Sequence, residues 1–177
     1  MKDKRFICMI LIFIIIVSLI VRQNYLANKW HQYSNRDISI SLRYPARWFN
    51  VGPSKLPSWK YIALCTMDFP VLDAIELRIY SDKVTNWPQS DIASFGIWLI
   101  NKNSKNTKII EQRKVVIGKG GYPGVEIEYE DKKFHGKMVV LKYRGIIYAI
   151  EIHALKKKWN EANSIFDAIL STVEFLE

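Results

Sequence analysis

Hydrophobic and polar positions along this chain follow distinct rhythms. The first stretch is a continuous apolar run, Phe6–Val21, with no charge and a single hydroxyl, Ser18. Backbone amides in hydrocarbon must be satisfied within their own segment, so in a bilayer such a run can only be helix. At about 1.5 Å per residue it spans roughly 24 Å, short of the ~30 Å hydrocarbon layer. Arg22 can snorkel, and Tyr25 and Trp30 suit the headgroup level, which lengthens the usable span. Beyond it the rhythm changes to period two, the mark of strands with one polar side. Ile38, Ile40 and Leu42 alternate with Ser39, Ser41 and Arg43; Ile75, Leu77 and Ile79 with Glu76, Arg78 and Tyr80; Val125, Ile127 and Tyr129 with Glu126, Glu128 and Glu130. Tyr44-Pro45 should end the first of these, since proline cannot donate to a ladder, and Trp48 should tuck under the turn. Shorter strands are predicted over 61–66 and 109–117, and residues 50–60, with their Gly, Pro and Ser, read as loop.

Helical spacing appears twice. Ile92, Phe95 and Leu99, with Trp98 and Ile100 alongside, predict a helix over 90–100, opened by Ser90 as a hydroxyl cap with Asp91 in its first turn. Trp159, Ala162, Ile165, Phe166 and Ile169 predict a second over 157–170. Between them, 134–143 and 146–153 are strands joined by Arg144-Gly145, a hairpin signal. In a tight hairpin Tyr143 faces Ile146. One face then carries Val139, Leu141, Tyr143, Ile146, Tyr148, Ile150 and Ile152; the other carries Phe134, Met138, Val140, Ile147 and Ala149. Two apolar faces need two covers, and the chain supplies two amphipathic helices. The expected fold class is α+β: an α/β/α sandwich with a central antiparallel sheet, preceded by one N-terminal transmembrane helix.

This divides the chain into an anchor over 1–24, a polar stalk over 25–35 and one domain over 36–177, the usual size for a single core. A cleaved signal peptide is the rival for the first segment. It needs small residues before the cut; Ala27 could close the site, but Tyr25 would then fill the third position back. Lys2, Lys4 and Arg5 ahead of the run favour a cytoplasmic N-terminus. The domain is then extracytoplasmic, in a periplasm, at the cell exterior or in an organelle lumen. Cys8 lies in the run and Cys65 is the only other cysteine, so the domain has no disulfide pair. Of the net charge of +9, the body beyond residue 29 carries +5, a moderate bias toward acidic partners or anionic headgroups.

The order of these features is similar to a known pattern. A strand ends in Tyr44-Pro45 with Trp48 three residues on; a mid-chain helix follows; then come a Gly-Tyr-Pro-Gly turn at Gly121–Gly124 with Pro123 inside it, a long hairpin, and a helix running into Ile169-Leu-Ser-Thr-Val-Glu-Phe175. Over about residues 36–176 this resembles the PsbP-like family. The resemblance implies an α/β/α sandwich and a non-enzymatic role as accessory, assembly or stabilising factor of a membrane protein complex. The best-known members are extrinsic subunits on the lumenal face of photosystem II, where they help retain calcium and chloride at the oxygen-evolving cluster.

Candidate chemistry is sparse. The glycines at 118–124 do not fit a phosphate loop, because G-x-G-x-x-G from Gly118 needs glycine where Pro123 stands, and the segment joins two strands. His31, His135 and His153 have no metal-ligand spacing; in the tight hairpin His153 faces Gly136 and His135 lies on the opposite face. Glu126, Glu128 and Glu130 line one strand face at about 6.6 Å intervals and could hold calcium weakly, though a solvated face beside Lys132, Lys133 and Lys137 is the plainer reading. No other cofactor is expected. Cys65 has no histidine near it in sequence and no G-x-S-x-G occurs, so nothing asks for an enzyme. Lys156, Lys157 and Lys158 oppose the dipole of the helix they precede, which points either to a later helix start or to a contact with an acidic protein surface or headgroups. Nucleic acid is not an expected partner: no aromatic stacking motif sits among the basic residues.

Overall fold

The computed structural model describes residues 9–18, 29–56, 59–65, 75–82, 91–103 and 106–177. Seven strands form the central sheet: β3 (Phe49–Leu56), β4 (Trp59–Cys65), β5 (Glu76–Asp82), β6 (Lys108–Ile117), β7 (Tyr122–Glu130), β8 (Phe134–Tyr143) and β9 (Ile146–Leu155). Their order is β3-β4-β5-β9-β8-β7-β6, and every neighbouring pair is antiparallel. The hairpin of β8 and β9 is the tight one that its sequence predicts, with Tyr143 opposite Ile146 and the register unbroken to Phe134 opposite Leu155. Arg144 and Gly145 both adopt positive φ there, as a two-residue primed turn requires.

Both faces of this hairpin are buried, and the two expected helices cover them. One helix, α2 (Ile92–Asn103), packs on β7 and β8. Its Phe95, Leu99 and Ile100 meet Met138, Val140, Ile147 and Ala149. On the opposite face α3 (Trp159–Leu170) places Ala162, Phe166 and Ile169 against Val139, Ile150 and Ile152. A second sheet, which the sequence did not predict, shares that layer. It consists of β1 (Trp30–Asn35), β2 (Ile40–Pro45) and β10 (Glu174–Phe175) in the order β1-β2-β10. Ile38, Ile40, Leu42 and Phe175 carry it into the same core. The result is a mixed α/β sandwich with two antiparallel sheets.

Some expectations shift. Residues 30–35, placed in a stalk, are strand β1, paired along their length with β2. Residues 50–60, read as loop, are mostly the backbone of β3 and β4; Pro53 is tolerated because β3 is an edge strand among the described residues. Pro45 closes β2 from inside it, and the Trp48 amide donates to its carbonyl at 2.9 Å while the Trp48 ring is buried. The polar sides of β5 and β7 pair across strands, Arg78 with Glu151 and Glu126 with Arg113.

Of the apolar leader, residues 9–18 are helical (α1), with Met9, Ile12, Phe13 and Ile15 all exposed. Among the described residues no helix is long and apolar enough to cross a membrane. Residues 1–8 and 19–24 of the expected anchor lie outside the described residues, as does Ser90.

Candidate functional site

Along β9 the residues on the α2 side are Ile147, Ala149, Glu151 and His153, so two titratable groups interrupt an otherwise apolar row. Glu151 is 1 % exposed. Such a carboxylate needs hydrogen bonds and a counter-charge, and strands β5 and β7 provide them. Tyr129 of β7 donates its hydroxyl to one carboxylate oxygen, and Tyr80 of β5 donates to the other at 3.0 Å. Arg78, opposite Glu151 in the β5–β9 register, stands 3.6 Å away and binds Glu76 at 2.6 Å. Asn103, at the end of α2, donates to the Tyr80 hydroxyl at 3.0 Å. Glu76, Arg78 and Tyr80, expected on a wet face, thus lie under the C-terminal end of α2.

Electrostatics follow from the geometry. Burial pushes the Tyr129 phenol well up, and the Glu151 charge with its hydrogen bond pushes it further. Burial works against the Arg78 charge, but the hydrogen bond to Glu76 and the charges of Glu151 and Glu76 outweigh it and hold the guanidinium above its ordinary value. Burial first, then Arg78, lowers His153, whose ring stacks on Phe134 at 4.4 Å. A cleft of about 160 Å³ opens among Arg78, Asn103, Tyr129, Asp131, Glu151 and His153. Both Glu151 oxygens are taken by partners of the chain, so the cluster presents a fixed, internally neutralised polar wall. Within this cluster the Arg78 Nε–H is buried without a hydrogen-bond partner.

Gly136 makes this arrangement possible. It lies between Tyr129 and His153 in the register, and the Tyr129 ring crosses it on the way to Glu151. A Cβ there would overlap Tyr129 Cζ and its hydroxyl. Gly136→Ala is expected to cost about 1–3 kcal/mol, because the ring is buried and its hydroxyl is held; urea unfolding measures this. His153 supplies a pH dependence. Its folded pKa lies below the ordinary 6.5, so the unfolded chain takes the proton first. Stability therefore falls as pH drops through about 6.5 toward the lowered value, and His153 adds no slope above that window. Urea midpoints across this range should fall less steeply toward acid in His153→Gln than in the parent.

The opposite face of β7 carries the three glutamates proposed as a weak calcium site. They are not a solvated row. Glu126 is buried and pairs with Arg113 at 2.7 Å and Lys137 at 3.5 Å; Lys137 in turn donates to Asn163 of α3 at 2.6 Å. Glu128 meets His135 at 2.7 Å, and the His135 ring stacks on Trp159 at 4.0 Å. Glu130 meets Lys156 at 2.7 Å, whose hydrogen bond and charge lower its pKa. Each carboxylate faces a cation or an imidazole of the chain. Among the described residues no group of three His, Cys, Asp or Glu side chains could hold a metal ion. The row instead ties β7 to β6, β8 and the start of α3.

A groove of about 680 Å³ lies where α2 stops short of the sheet edge. Pro123, Gly124 and Val125 form its floor, Ile92 and Ala93 of α2 one wall, and Lys114, Val116 and Lys142 its rim. The sequence gives no sign of it, because it depends on which strands α2 covers.

No protein-family model and no curated protein sequence matches the chain. Solved structures do. The cyanobacterial PsbP protein (CyanoP) of Synechocystis sp. PCC 6803 superposes with a TM-score of 0.60 at 16% identity, over 82% of this chain and 92% of its own. LpqN of Mycobacterium tuberculosis, described as involved in cell envelope biogenesis, superposes at 0.57 with 14% identity, over 84% and 91%. The fold is PsbP-like. At such identities the likeness is one of architecture.

Within the PsbP-like fold the motif residues find structural work. Tyr44, Pro45 and Trp48 close β2 and seat an indole in the core. Gly118 and Gly121 take the positive φ that the turn before β7 needs, and the Gly118 amide donates to the Leu170 carbonyl at 2.9 Å, locking that turn to the end of α3. Gly124 is small because a Cβ would sit 2.8 Å from the Val140 carbonyl oxygen; Pro123 stands beside it in the groove floor. Lys156–Lys158 form a 3-10 turn ahead of α3, which starts at Trp159 with Lys158 as its N-cap residue. Lys156 pairs with Glu130, and Lys158 reaches Glu161 at 3.4 Å. His153 faces Gly136, and His135 lies on the other side of the sheet. Cys65 closes β4, and Cys8 lies outside the described residues.

Proposed function

We propose that this chain is a membrane-tethered, extracytoplasmic PsbP-like domain whose work is contact rather than bond-making, as an accessory or assembly factor of a membrane protein complex. The observation that carries this is the filling of the space beneath both covering helices, with the open groove of about 680 Å³ left at the sheet edge beside α2. Side chains occupy the space under α2 and under α3. The polar cleft at Glu151, about 160 Å³, is smaller than the ~300–1,000 Å³ typical of ligand pockets, and its titratable groups are spent on one another. The exposed apolar side chains of α1 support a tether, since water is a poor solvent for such a surface. The cell-envelope role named for LpqN supports an extracytoplasmic setting. In a photosynthetic host the finer form of the reading is a subunit of the oxygen-evolving side of photosystem II.

Fractionation of cells carrying the full chain with a C-terminal epitope tests the tether. The chain should stay with membranes in alkaline carbonate, keep residues 1–24 by mass, and lose its epitope to protease added outside the cytoplasmic membrane. Recovery of intact chain from the cytosol overturns the proposal.

A further inference from the structure

The two edges of the central sheet are treated differently. At one end β3 carries Pro53 and a register shift between Asn50 and Gly52, both of which blunt a strand against further pairing. At the other end β6 is ten residues long, and its register shift falls between Ile109 and Glu111, near its start. Residues 112–117 continue in regular register with β7 and have no strand beyond them among the described residues. An edge of this kind offers a row of unpaired N–H and C=O groups.

The side chains beside this edge point to what it takes. In the β6–β7 register Gln112, Lys114 and Val116 stand opposite Ile127, Val125 and Pro123, so they share the α2 side of the sheet. There α2 packs on β7 and β8, and the groove opens next to β6. Val116 is 70% exposed on its rim. Lys114, exposed on β6, puts a positive charge on the groove's rim. The surface thus combines a backbone edge with no further strand among the described residues, an apolar trough of ligand-taking size and the Lys114 cation on its rim.

We propose that residues 112–117 accept an extended segment of a partner protein as an added strand, with apolar side chains seated in the groove and acidic ones beside Lys114. Main-chain pairing supplies affinity, and the alternate side chains supply choice. The basic rim selects an acidic segment, and such complementarity acts on specificity and encounter. A second copy of this chain is a poor occupant: pairing the same stretch about a two-fold axis brings Arg113 and Lys114 of both copies together, and like charges across strands are destabilising. The inference takes from the proposed function only that a protein partner exists.

The test uses the full chain in detergent micelles and two acetylated, amidated peptides. One is Val-Thr-Glu-Thr-Val-Thr-Glu; the other has lysine at both glutamate positions. Hydrogen–deuterium exchange should show new protection over 112–117 with the acidic peptide, which should bind about tenfold more tightly than the basic one. Lys114→Glu, an exposed change, should leave the melting temperature in place and reverse the preference. Equal binding of both peptides, or protection elsewhere than β6, overturns the proposal. So does protection of 112–117 that grows with protein concentration alone, which marks self-pairing. The peptides do not depend on the tether or on a natural partner, so a cytosolic chain that still binds them would refute the proposed function and leave this surface standing.

Discussion

Glu151→Ala is expected to lower the free energy of unfolding by about 3–5 kcal/mol, the cost of removing one member of a buried ion pair. Glu151 is 1 % exposed and answers Tyr80, Tyr129 and Arg78 at once. Alanine leaves two phenol hydroxyls and part of a guanidinium charge facing an apolar space. Hydroxyls orphaned in this way cost about 1–3 kcal/mol each, with some relief if water enters the cleft. Glu151→Gln keeps an acceptor and the side-chain volume, so it should cost clearly less. Tyr129→Phe removes one bond and should cost least. Urea unfolding of the three variants measures the order, and an alanine variant within about 1 kcal/mol of the parent would show that the cluster does not hold the strands together. The paired replacement Arg78→Met with Glu151→Leu should recover much of the loss, since apolar pairs often match buried ion pairs in stability.

Phe166→Ala is expected to cost a similar 3–5 kcal/mol, the range for emptying a buried aromatic site. The Phe166 ring is fully buried between α3, the hairpin of β8 and β9, and the small sheet. Its loss should weaken the whole layer, because α3 also anchors Lys137 through Asn163 and His135 through Trp159. Asp167→Ala, one position on and exposed, is the control and should change stability by less than about 0.5 kcal/mol. Thermal and urea melts of both variants distinguish a helix that covers the sheet from one that merely lies on it.

What the sequence disclosed and what it withheld have physical reasons. The hairpin of β8 and β9 was legible because both its faces are apolar and its turn is short; a register slip would have exchanged its faces. From two apolar faces the need for two covers followed, and the spacing of Phe95 with Leu99 and of Phe166 with Ile169 identified them. Alternation reports polarity but not what lies above a polar row. For that reason Glu76, Arg78 and Tyr80 read as wet, as did Glu126, although Arg78–Glu151 and Lys137–Glu126 neutralise these rows across strands. β1 was hidden because Trp30-His-Gln-Tyr-Ser-Asn35 has no clean apolar side; its partner β2 makes it a strand. β3 was hidden by Gly52 and Pro53, which an edge position tolerates. Glu151 and His153 break the row begun by Ile147 and Ala149, a signal from which the buried polar cluster could have been found, but alternation alone does not say what lies above that row. The groove beside β6 could not be read at all, because it depends on the lateral position of α2.

The proposed function rests most heavily on the claim that the domain works by holding on to another protein at a membrane. Gentle detergent solubilisation of the tagged full chain, followed by affinity purification and measurement of the mass of the eluted species, tests it directly. A discrete complex with a membrane protein in fixed stoichiometry is the expected result. The chain eluting alone at the mass of a single copy, from membranes that contain it at native abundance, would contradict it.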